Sequence, residues 1–215
     1  MPAPGPDHDT IRKAALAEGL DVLGGLHEDA GTLILLGPSP GFWPVFRASP
    51  EMADAGPDPL DRWSRRVVTD LARSLGAGAL FPFDGPPWHP FLDWALASGR
   101  AWSSPVGMLV HDTAGLMVSY RGALRLERHV ALPLPPADPP CASCPDRPCV
   151  TACPVGALGR QAGYDVAACH GWLDTAGGQD CMDLGCRVRR ACPASRGAQR
   201  DPAQSAFHMR AFHPA

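Results

Sequence analysis

The chain has 215 residues, a net charge of −3 and a hydrophobic fraction of 45%. This composition is typical of a globular protein with a buried core, and it excludes fibrous, coiled-coil and fully disordered chains. No run approaches the roughly 18 apolar residues of a membrane span. Residues 1–10 are polar and proline-rich, unlike a secretory signal. We therefore predict a cytoplasmic protein without a membrane segment.

The charge distribution argues against nucleic-acid binding. Residues 1–140 carry 11 basic and 16 acidic side chains, and residues 141–215 carry 8 arginines and 6 aspartates. Neither part has the excess of positive charge that phosphate recognition requires. We therefore expect no nucleic-acid partner.

Helices and strands alternate along the first 135 residues. The predicted helices cover residues 10–18, 42–48, 59–75 and 90–98, and the predicted strands cover 21–24, 32–36, 79–83, 107–111 and 116–120. The helix from Pro59 to Leu75 is the clearest, with Asp58 as N-cap, a proline at its first position, an apolar stripe and Gly76 as its stop. The last two strands are predicted to form a hairpin across residues 112–115. The pattern predicts a domain that contains both helices and strands.

A proline-rich segment marks the end of this domain. Seven prolines occur within residues 132–148, and a stretch of this kind forms neither a helix nor a central strand. We predict an α+β domain over residues 1–135, a small cysteine-rich domain over 136–200 and a C-terminal tail over 201–215.

All 8 cysteines lie between Cys141 and Cys192. In a cytoplasmic chain this density favours metal binding over disulfides, because thiols stay reduced there. The first run has the spacing Cys-x2-Cys-x4-Cys-x3-Cys-Pro. The second is looser, with gaps of 11, 4 and 5 residues. The cysteines are Cys141, Cys144, Cys149, Cys153, Cys169, Cys181, Cys186 and Cys192.

Eight thiolates are the number that two [4Fe–4S] clusters require. In two-cluster ferredoxins the fourth cysteine of a Cys-x2-Cys-x2-Cys-x3-Cys-Pro run ligates the other cluster. We therefore predict crossed ligation, in which Cys153 joins the second set and Cys192 joins the first. The predicted sets are Cys141, Cys144, Cys149 and Cys192 for one cluster, and Cys153, Cys169, Cys181 and Cys186 for the other.

Two other uses of the cysteines remain open, a zinc site and a disulfide scaffold. Zinc sites also contain Cys-x2-Cys pairs, but a second such pair or a His-x3-His partner is missing here. The prolines after Cys153 and Cys192 suit ferredoxin turns better. The four-residue gap after Cys144 departs from the usual two.

Several of these residues resemble a known family. The run Cys-Pro-Val-Gly-Ala-Leu at 153–158, followed by Cys169 and by Gly-Cys at 185–186, resembles the bicluster module of epoxyqueuosine reductases, which couple two [4Fe–4S] clusters to cobalamin. Residues 106–122 and 132–135 are similar both to that family and to cblC-type cobalamin-processing proteins. Asp-Pro-Leu-Asp at 58–61 is also similar to the latter. The resemblance implies a nitroreductase-like or cblC-like α+β domain followed by a small ferredoxin-like domain with two clusters.

The resemblance also implies three site residues outside the cysteines. Asp84 lies where the reductases have an acidic proton donor, and a carboxyl with a raised pKa would suit that role. Arg121 matches an arginine of the cblC-type motif that would bind an anionic ligand group, and His111 would face a corrinoid. Each also has a plainer interpretation, respectively as a turn aspartate, a surface strand arginine and a hydrogen-bonded turn histidine.

Charged and aromatic residues near the C-terminus admit two interpretations. Arg187, Arg189 and Arg190 would either tune a cluster or dock an acidic donor, or else form a solvated loop. His208 and His213 would either touch a cluster or belong to a docking segment that packs Phe207 and Phe212.

Two functions follow from these observations. The first is a corrinoid-dependent oxidoreductase, in which a redox partner protein supplies electrons through two [4Fe–4S] clusters to cobalamin. The second is a ferredoxin-like electron carrier, whose N-terminal domain docks a partner and binds no corrinoid. Iron–sulfur electron transfer is common to both.

Overall fold

The computed structural model describes residues 5–159 and 163–214 as a mixed α+β protein. The helices are α1 (His8–Ala17), α2 (Phe42–Arg47), α3 (Pro50–Ala53), α4 (Pro59–Leu75), α5 (Phe91–Ala97), α6 (Val166–Leu173), α7 (Gln179–Leu184), α8 (Arg187–Ala191) and α9 (Pro202–Phe212). The strands are β1 (Leu20–Glu28), β2 (Gly31–Pro38), β3 (Gly78–Leu80), β4 (Ala101–Ser103), β5 (Leu109–His111), β6 (Gly122–Leu126), β7 (Leu158–Gly159) and β8 (Gly163–Tyr164).

The chain divides into two compact units. The first, here called the sheet unit, extends to Arg100 and includes Ser119–Pro135. The second, here called the cysteine unit, comprises Ala101–Val118 and the chain from Pro136 onward. The predicted division at position 135 places residues 101–118 in the N-terminal domain. In the structure these residues belong to the cysteine unit.

The sheet unit is built on a four-stranded antiparallel sheet with the strand order β1-β2-β6-β3. Residues 33–36 of β2 are wholly buried, because this strand is central and is covered on both faces. Phe42 and Phe46 of α2 pack edge-on against Trp63 of α4, with ring centroids 5.2 and 5.9 Å apart. Burial of these apolar groups is the main source of stability of the unit.

The long helix α4 has the predicted bounds, and its buried face carries Leu60, Trp63, Val67, Val68 and Leu71. The helix ends at Gly76, whose φ of +64° is the left-handed conformation that glycine adopts without a Cβ penalty. Its beginning differs from the prediction. Asp58 occupies the N-cap position, but its backbone is left-handed and its side chain makes no capping hydrogen bond.

The predicted hairpin of residues 107–111 and 116–120 is wrong. Leu109–His111 pairs instead with the preceding Ala101–Ser103, and residues 116–120 form no strand. The strand that enters the main sheet is β6, just beyond the predicted segment. The alternation of apolar residues over 116–120 indicates that these residues are buried. It does not specify which strand pairs with β5, because that pairing depends on tertiary packing. The strand predicted over residues 79–83 is shorter in the structure, where β3 comprises Gly78–Leu80.

The cysteine unit consists of short elements around a small core. Over its described residues the strands pair as β4 with β5 and β7 with β8, and the helices α6 to α9 follow them. The core is formed by Val106, Val110, Leu116, Cys149, Val188 and Cys192. Residues from before and after the proline-rich segment therefore share one core.

Candidate metal centre

Short elements carry the eight cysteines, and all eight are free of disulfides. Cys149 lies in the 3₁₀ turn Pro148–Val150, Cys169 lies on α6 and Cys181 lies on α7. Cys186 and Cys192 flank α8 at its N-terminal and C-terminal ends. The last two cysteines of the chain therefore lie at opposite ends of one five-residue helix.

Cys141, Cys144, Cys149 and Cys192 are neighbours, and we call them the first group. Burial raises the pKa of the Cys149 thiol, and the thiols of Cys192, Cys141 and Cys144 raise it further. The pKa of Cys141 is also raised, first by burial and then by Cys192 and Cys144. These effects require the sulfurs of Cys192 and Cys144 to lie within electrostatic range of both Cys149 and Cys141.

Cys153, Cys169, Cys181 and Cys186 form the second group. Burial is the largest cause of the raised pKa of Cys169, and Cys186 and Cys153 contribute to it. Burial also raises the pKa of Cys181, and Cys186 adds to this effect. Cys186 therefore links Cys181 to the other two members.

The two groups have the same members as the crossed ligand sets expected from the sequence, and ligation of a metal by these groups stays a prediction. Cys153 ends the first cysteine run but lies with the second group, and Cys192 ends the second run but lies with the first. Packing of α8 against the 3₁₀ turn Pro148–Val150 explains the second of these placements, because it brings the end of α8 to Cys149. The crossing is thus a consequence of tertiary packing between segments that are far apart in the chain.

Residues 101–118 are hydrogen-bonded to the segment that contains Cys192, a member of the first group. Leu116 donates its backbone N–H to Ser195 Oγ over 3.0 Å, and Ser195 lies three positions after Cys192. Arg189 on α8 donates to the Leu116 carbonyl at 2.6 Å, and Arg200 donates to the Met117 carbonyl at 2.7 Å. The segment before the proline-rich stretch is therefore fixed to the segment after the last cysteine.

Each group offers four thiols, which is the donor set of a [4Fe–4S] cluster and also of a zinc site with four cysteine ligands. Among residues 5–159 and 163–214, three or more Cys, His, Asp or Glu side chains nowhere converge in a way that would hold a single metal ion. The residues present fit two four-thiol centres by number and by neighbourhood. Metal binding by either group, and the identity of the metal, stay predictions.

Arg121 is engaged inside the sheet unit. Its backbone N–H bonds the Leu36 carbonyl at 2.8 Å, its Nε donates to the Tyr120 carbonyl at 3.0 Å, and its Nη1 lies 3.2 Å from Asp61 Oδ1. Burial raises the pKa of Asp61, and the charge of Arg121 opposes this rise. The guanidinium is therefore used within the fold, where it orders the start of β6.

Asp84 forms an ion pair with Arg65 of α4. The Arg65 guanidinium also lies over the rings of Phe81 and Phe83, at 4.9 and 5.2 Å from their centroids. A proton-donor role for Asp84 would require this pair to open. That role stays a prediction.

His111 is wholly buried in the cysteine unit. The backbone N–H groups of Thr113 and Ala114 both lie 3.2 Å from its Nδ1, and Asp112 Oδ1 lies 2.9 Å from the same nitrogen. His111 thus organises the turn after β5. The plainer interpretation, a hydrogen-bonded turn histidine, describes this position.

The three arginines near the last cysteines have structural partners. Arg187 Nε donates to Asp180 Oδ2 at 2.7 Å, and Arg190 pairs with the same carboxylate. The two arginines hold the pKa of Asp180 below its usual range. These contacts brace α7 against α8, and so fix Cys181 relative to Cys186.

The predicted tail is the helix α9, which packs on α7. Because a carboxylate can only accept, His213 Nε2 donates to Asp174 Oδ1, at 3.0 Å. His213 Nδ1 and His170 Nδ1 lie 2.6 Å apart and share a hydrogen bond. His170 directly follows Cys169, so the end of the chain is anchored beside the second group. Of the two aromatic residues predicted to pack in a docking segment, Phe212 packs here against Tyr164 and His170, and Phe207 contacts the neighbouring His208.

Tyr164 is a candidate site residue that the sequence reasoning missed. Burial is the largest influence on the pKa of the Cys169 thiol and raises it, and interaction with the Tyr164 side chain opposes this rise. Burial and the neighbouring thiols hold the pKa of Tyr164 above its ordinary value, so the phenol keeps its proton at neutral pH. Proximity to Cys169 in the sequence was the one available signal, and such proximity does not specify side-chain direction.

Comparison of the chain with protein-family models, with curated proteins and with solved structures finds no match. Within the described ranges, no helix is long and apolar enough to cross a membrane.

Proposed function

We propose that this chain is an iron–sulfur electron-transfer protein with two [4Fe–4S] clusters. One cluster would be held by the first group of cysteines and the other by the second group. The observation that carries the proposal is the arrangement of eight free cysteines as two groups of four, with Cys153 and Cys192 exchanged between the runs. This exchange is the arrangement of two-cluster ferredoxins. A ferredoxin-like identity of the cysteine unit belongs to the same proposal.

The chain's own residues would bind the clusters and keep water from them. A [4Fe–4S] cluster supplies a centre that accepts and gives up single electrons. Cys149, Cys181 and Cys192 are buried, at 6 to 7% exposure, and their surroundings restrict solvent access to the sulfurs. Cys141, Cys149, Cys169 and Cys181 have raised pKa values and hold their protons in the metal-free chain at neutral pH. Metal binding therefore releases these protons and is coupled to folding of the unit.

Metal and sulfide analysis tests the proposal. Protein reconstituted anaerobically should hold about eight iron and eight sulfide per chain, because each cubane contains four of each. Stoichiometric zinc without sulfide would replace the cluster proposal with two zinc sites of four cysteine ligands each. A content of about four iron per chain would indicate that the protein holds one cluster and would contradict the proposal of two.

A corrinoid acceptor is not part of this proposal. Asp84, Arg121 and His111, the residues expected to face a corrinoid or its substrate, each contact groups of the protein. Corrinoid binding stays a prediction. A nitroreductase-like or cblC-like identity of the sheet unit rests on the sequence resemblance alone. The ferredoxin-like carrier, which receives electrons from a redox partner protein, is the function that the cysteine unit supports. Addition of cob(II)alamin tests the corrinoid-dependent alternative, since binding would shift its visible spectrum and retain it with the protein on gel filtration.

A further inference from the structure

Trp172 carries a buried hydrogen-bond donor that the polypeptide does not satisfy. Its indole Nε1 is shielded from solvent and has no hydrogen-bond partner among the residues that the structure describes. A buried N–H without a partner is costly, and native proteins satisfy nearly all such groups through the protein, an ordered water or a bound group. The Trp172 N–H therefore calls for an acceptor outside the described chain.

Trp172 lies on the same face of α6 as Cys169, because residues three positions apart are neighbours on a helix surface. Leu173, four positions after Cys169, is buried on this side of the helix. At the end of α6, Thr175 donates its backbone N–H and its hydroxyl to the Trp172 carbonyl, at 3.0 and 2.7 Å. The indole is thus held by the helix that carries a thiol of the second group.

The six-membered ring of the indole lies against the 3₁₀ turn Ala176–Gly178. A Cβ at Gly177 would be 2.5 Å from Cη2 and 2.8 Å from Cζ2 of Trp172, so a side chain there would displace the ring. The turn leads directly into α7, which carries Cys181. The indole is therefore packed between the helix of Cys169 and the segment that begins the helix of Cys181. Both cysteines belong to the second group.

A [4Fe–4S] cluster offers such a donor several acceptors, namely its inorganic sulfides and the sulfurs of its ligands. A hydrogen bond to a cluster sulfur favours the more negative state, and reduction adds one negative charge, so the bond raises the reduction potential. We propose that the Trp172 indole N–H donates a hydrogen bond to the second-group cluster and raises its reduction potential. The inference rests on the proposed function. On reduction the cluster gains one electron from a reduced donor protein, which loses one, and the indole keeps its proton.

Replacement of Trp172 by Phe removes the N–H and keeps an aromatic ring against the turn. Full-length protein, reconstituted anaerobically, is titrated potentiometrically, and each reduced cluster is followed by electron paramagnetic resonance. One midpoint potential should fall by about 59 mV, which is a tenfold change in a one-electron equilibrium, and the other should not move. Trp102→Phe is the matched control, because Trp102 lies in the same unit but packs against the core that contains Cys149 and Cys192 of the first group.

Nitrogen hyperfine coupling tests the contact directly and needs no substitution. The protein is produced with tryptophan labelled with ¹⁵N in the indole ring, and pulsed electron paramagnetic resonance of the reduced protein detects labelled nitrogens that are hydrogen-bonded to a cluster. The chain has 6 tryptophans, of which Trp102 and Trp172 belong to the cysteine unit. The coupling should be present in the unsubstituted protein and in Trp102→Phe, and absent from Trp172→Phe.

Absence of the coupling from the unsubstituted protein would overturn the inference, because the N–H would then be bonded to water. Its persistence in Trp172→Phe would do the same, as would unchanged potentials in Trp172→Phe protein with full iron. If Trp172→Phe loads poorly with iron, the other two proteins still decide, since loss of the coupling in Trp102→Phe would assign it to Trp102. A protein that binds no iron and sulfide would instead contradict the proposed function itself, so the two failures are distinguishable.

Discussion

Cys192 is the residue that tests the predicted crossed ligation, because it ends the second cysteine run but lies with the first group. Cys192→Ala should lower the iron content from about eight to about four per chain. Adding Cys149→Ala should cause little further loss, since both residues belong to one group. Adding Cys186→Ala should instead remove the remaining iron. Iron and sulfide analysis of the three variants distinguishes these outcomes, and equal effects of the two additions would contradict the grouping.

Glu51 and Arg66 form an ion pair that gives the sheet unit a pH-dependent contribution to stability. Arg66 Nε lies 2.5 Å from Glu51 Oε1, and the Glu51 side chain is 11% exposed. Hydrogen bonding from Arg66 holds the pKa of Glu51 below its ordinary value of 4.5. A lowered pKa in the folded state adds stability above pH ~4.5, and this stability is lost as the pH falls through the folded-state value.

Glu51→Gln should therefore lower the free energy of unfolding by about 1 kcal/mol at pH 7, and by less as the solution is acidified. Urea unfolding between pH 4 and pH 7 measures the difference. Glu28→Gln is a suitable control, since the Glu28–Arg125 pair is on the surface, with side-chain exposures of 32% and 44%. A Glu51→Gln deficit that grows toward low pH would contradict the sign of the effect.

At the scale of elements, the turn after β5 packs against the 3₁₀ turn Pro193–Ala198 without space for a side chain at Gly115. A Cβ at Gly115 would lie 2.2 Å from the backbone nitrogen of Ser195, and its φ is +55°. A Cβ at Gly156, whose φ is +61°, would meet nothing within 4 Å. The two glycines share the backbone conformation and differ in the available space.

Gly115→Ala should therefore destabilise the cysteine unit more than Gly156→Ala, whose cost is about 1 kcal/mol from the left-handed backbone. The clash with Ser195 adds to this cost and should reduce iron retention, because Ser195 lies close to Cys192 in the chain. Thermal loss of the cluster absorbance compares the two variants. Equal loss in both would show that the close approach at Gly115 contributes nothing.

On the scale of the whole molecule, the cysteine unit is discontinuous. Val106, Val110 and Leu116 lie in the same core as Cys149 and Cys192, although they precede the proline-rich segment. A fragment of residues 136–215 would lack a large part of that core. Core positions of this kind cost about 2 to 5 kcal/mol each when truncated.

A fragment of residues 101–215 should accordingly fold and hold about eight iron, whereas residues 136–215 should not retain iron. Both fragments contain all eight cysteines, so the comparison isolates the contribution of residues 101–135, of which 101–118 belong to the cysteine unit. Iron analysis after anaerobic reconstitution and gel filtration is the measurement. Full loading of the shorter fragment would support the domain boundary predicted at position 135.

The sequence by itself determined the local features of this protein. The 17 residues of α4 and its end at Gly76 follow from apolar periodicity and from a glycine that adopts the left-handed conformation. The bounds of α1, α2 and α5 were predicted to within two residues for the same local reasons. The spacing of the cysteines predicted two four-thiol sets, since ligand positions along a chain are themselves a local pattern.

Tertiary structure decided the pairings between distant segments. The partner of β5 is Ala101–Ser103, and the partners of β6 are β2 and β3, although apolar alternation suited another hairpin equally well. The engagement of Arg121 by Asp61 and the approach of Tyr164 to Cys169 likewise depend on side-chain directions. The alternation of apolar residues indicates which residues are buried, and the spacing of the cysteines indicates which residues can act as ligands. Packing of the whole chain selects their partners, because many alternative pairings have similar local energies.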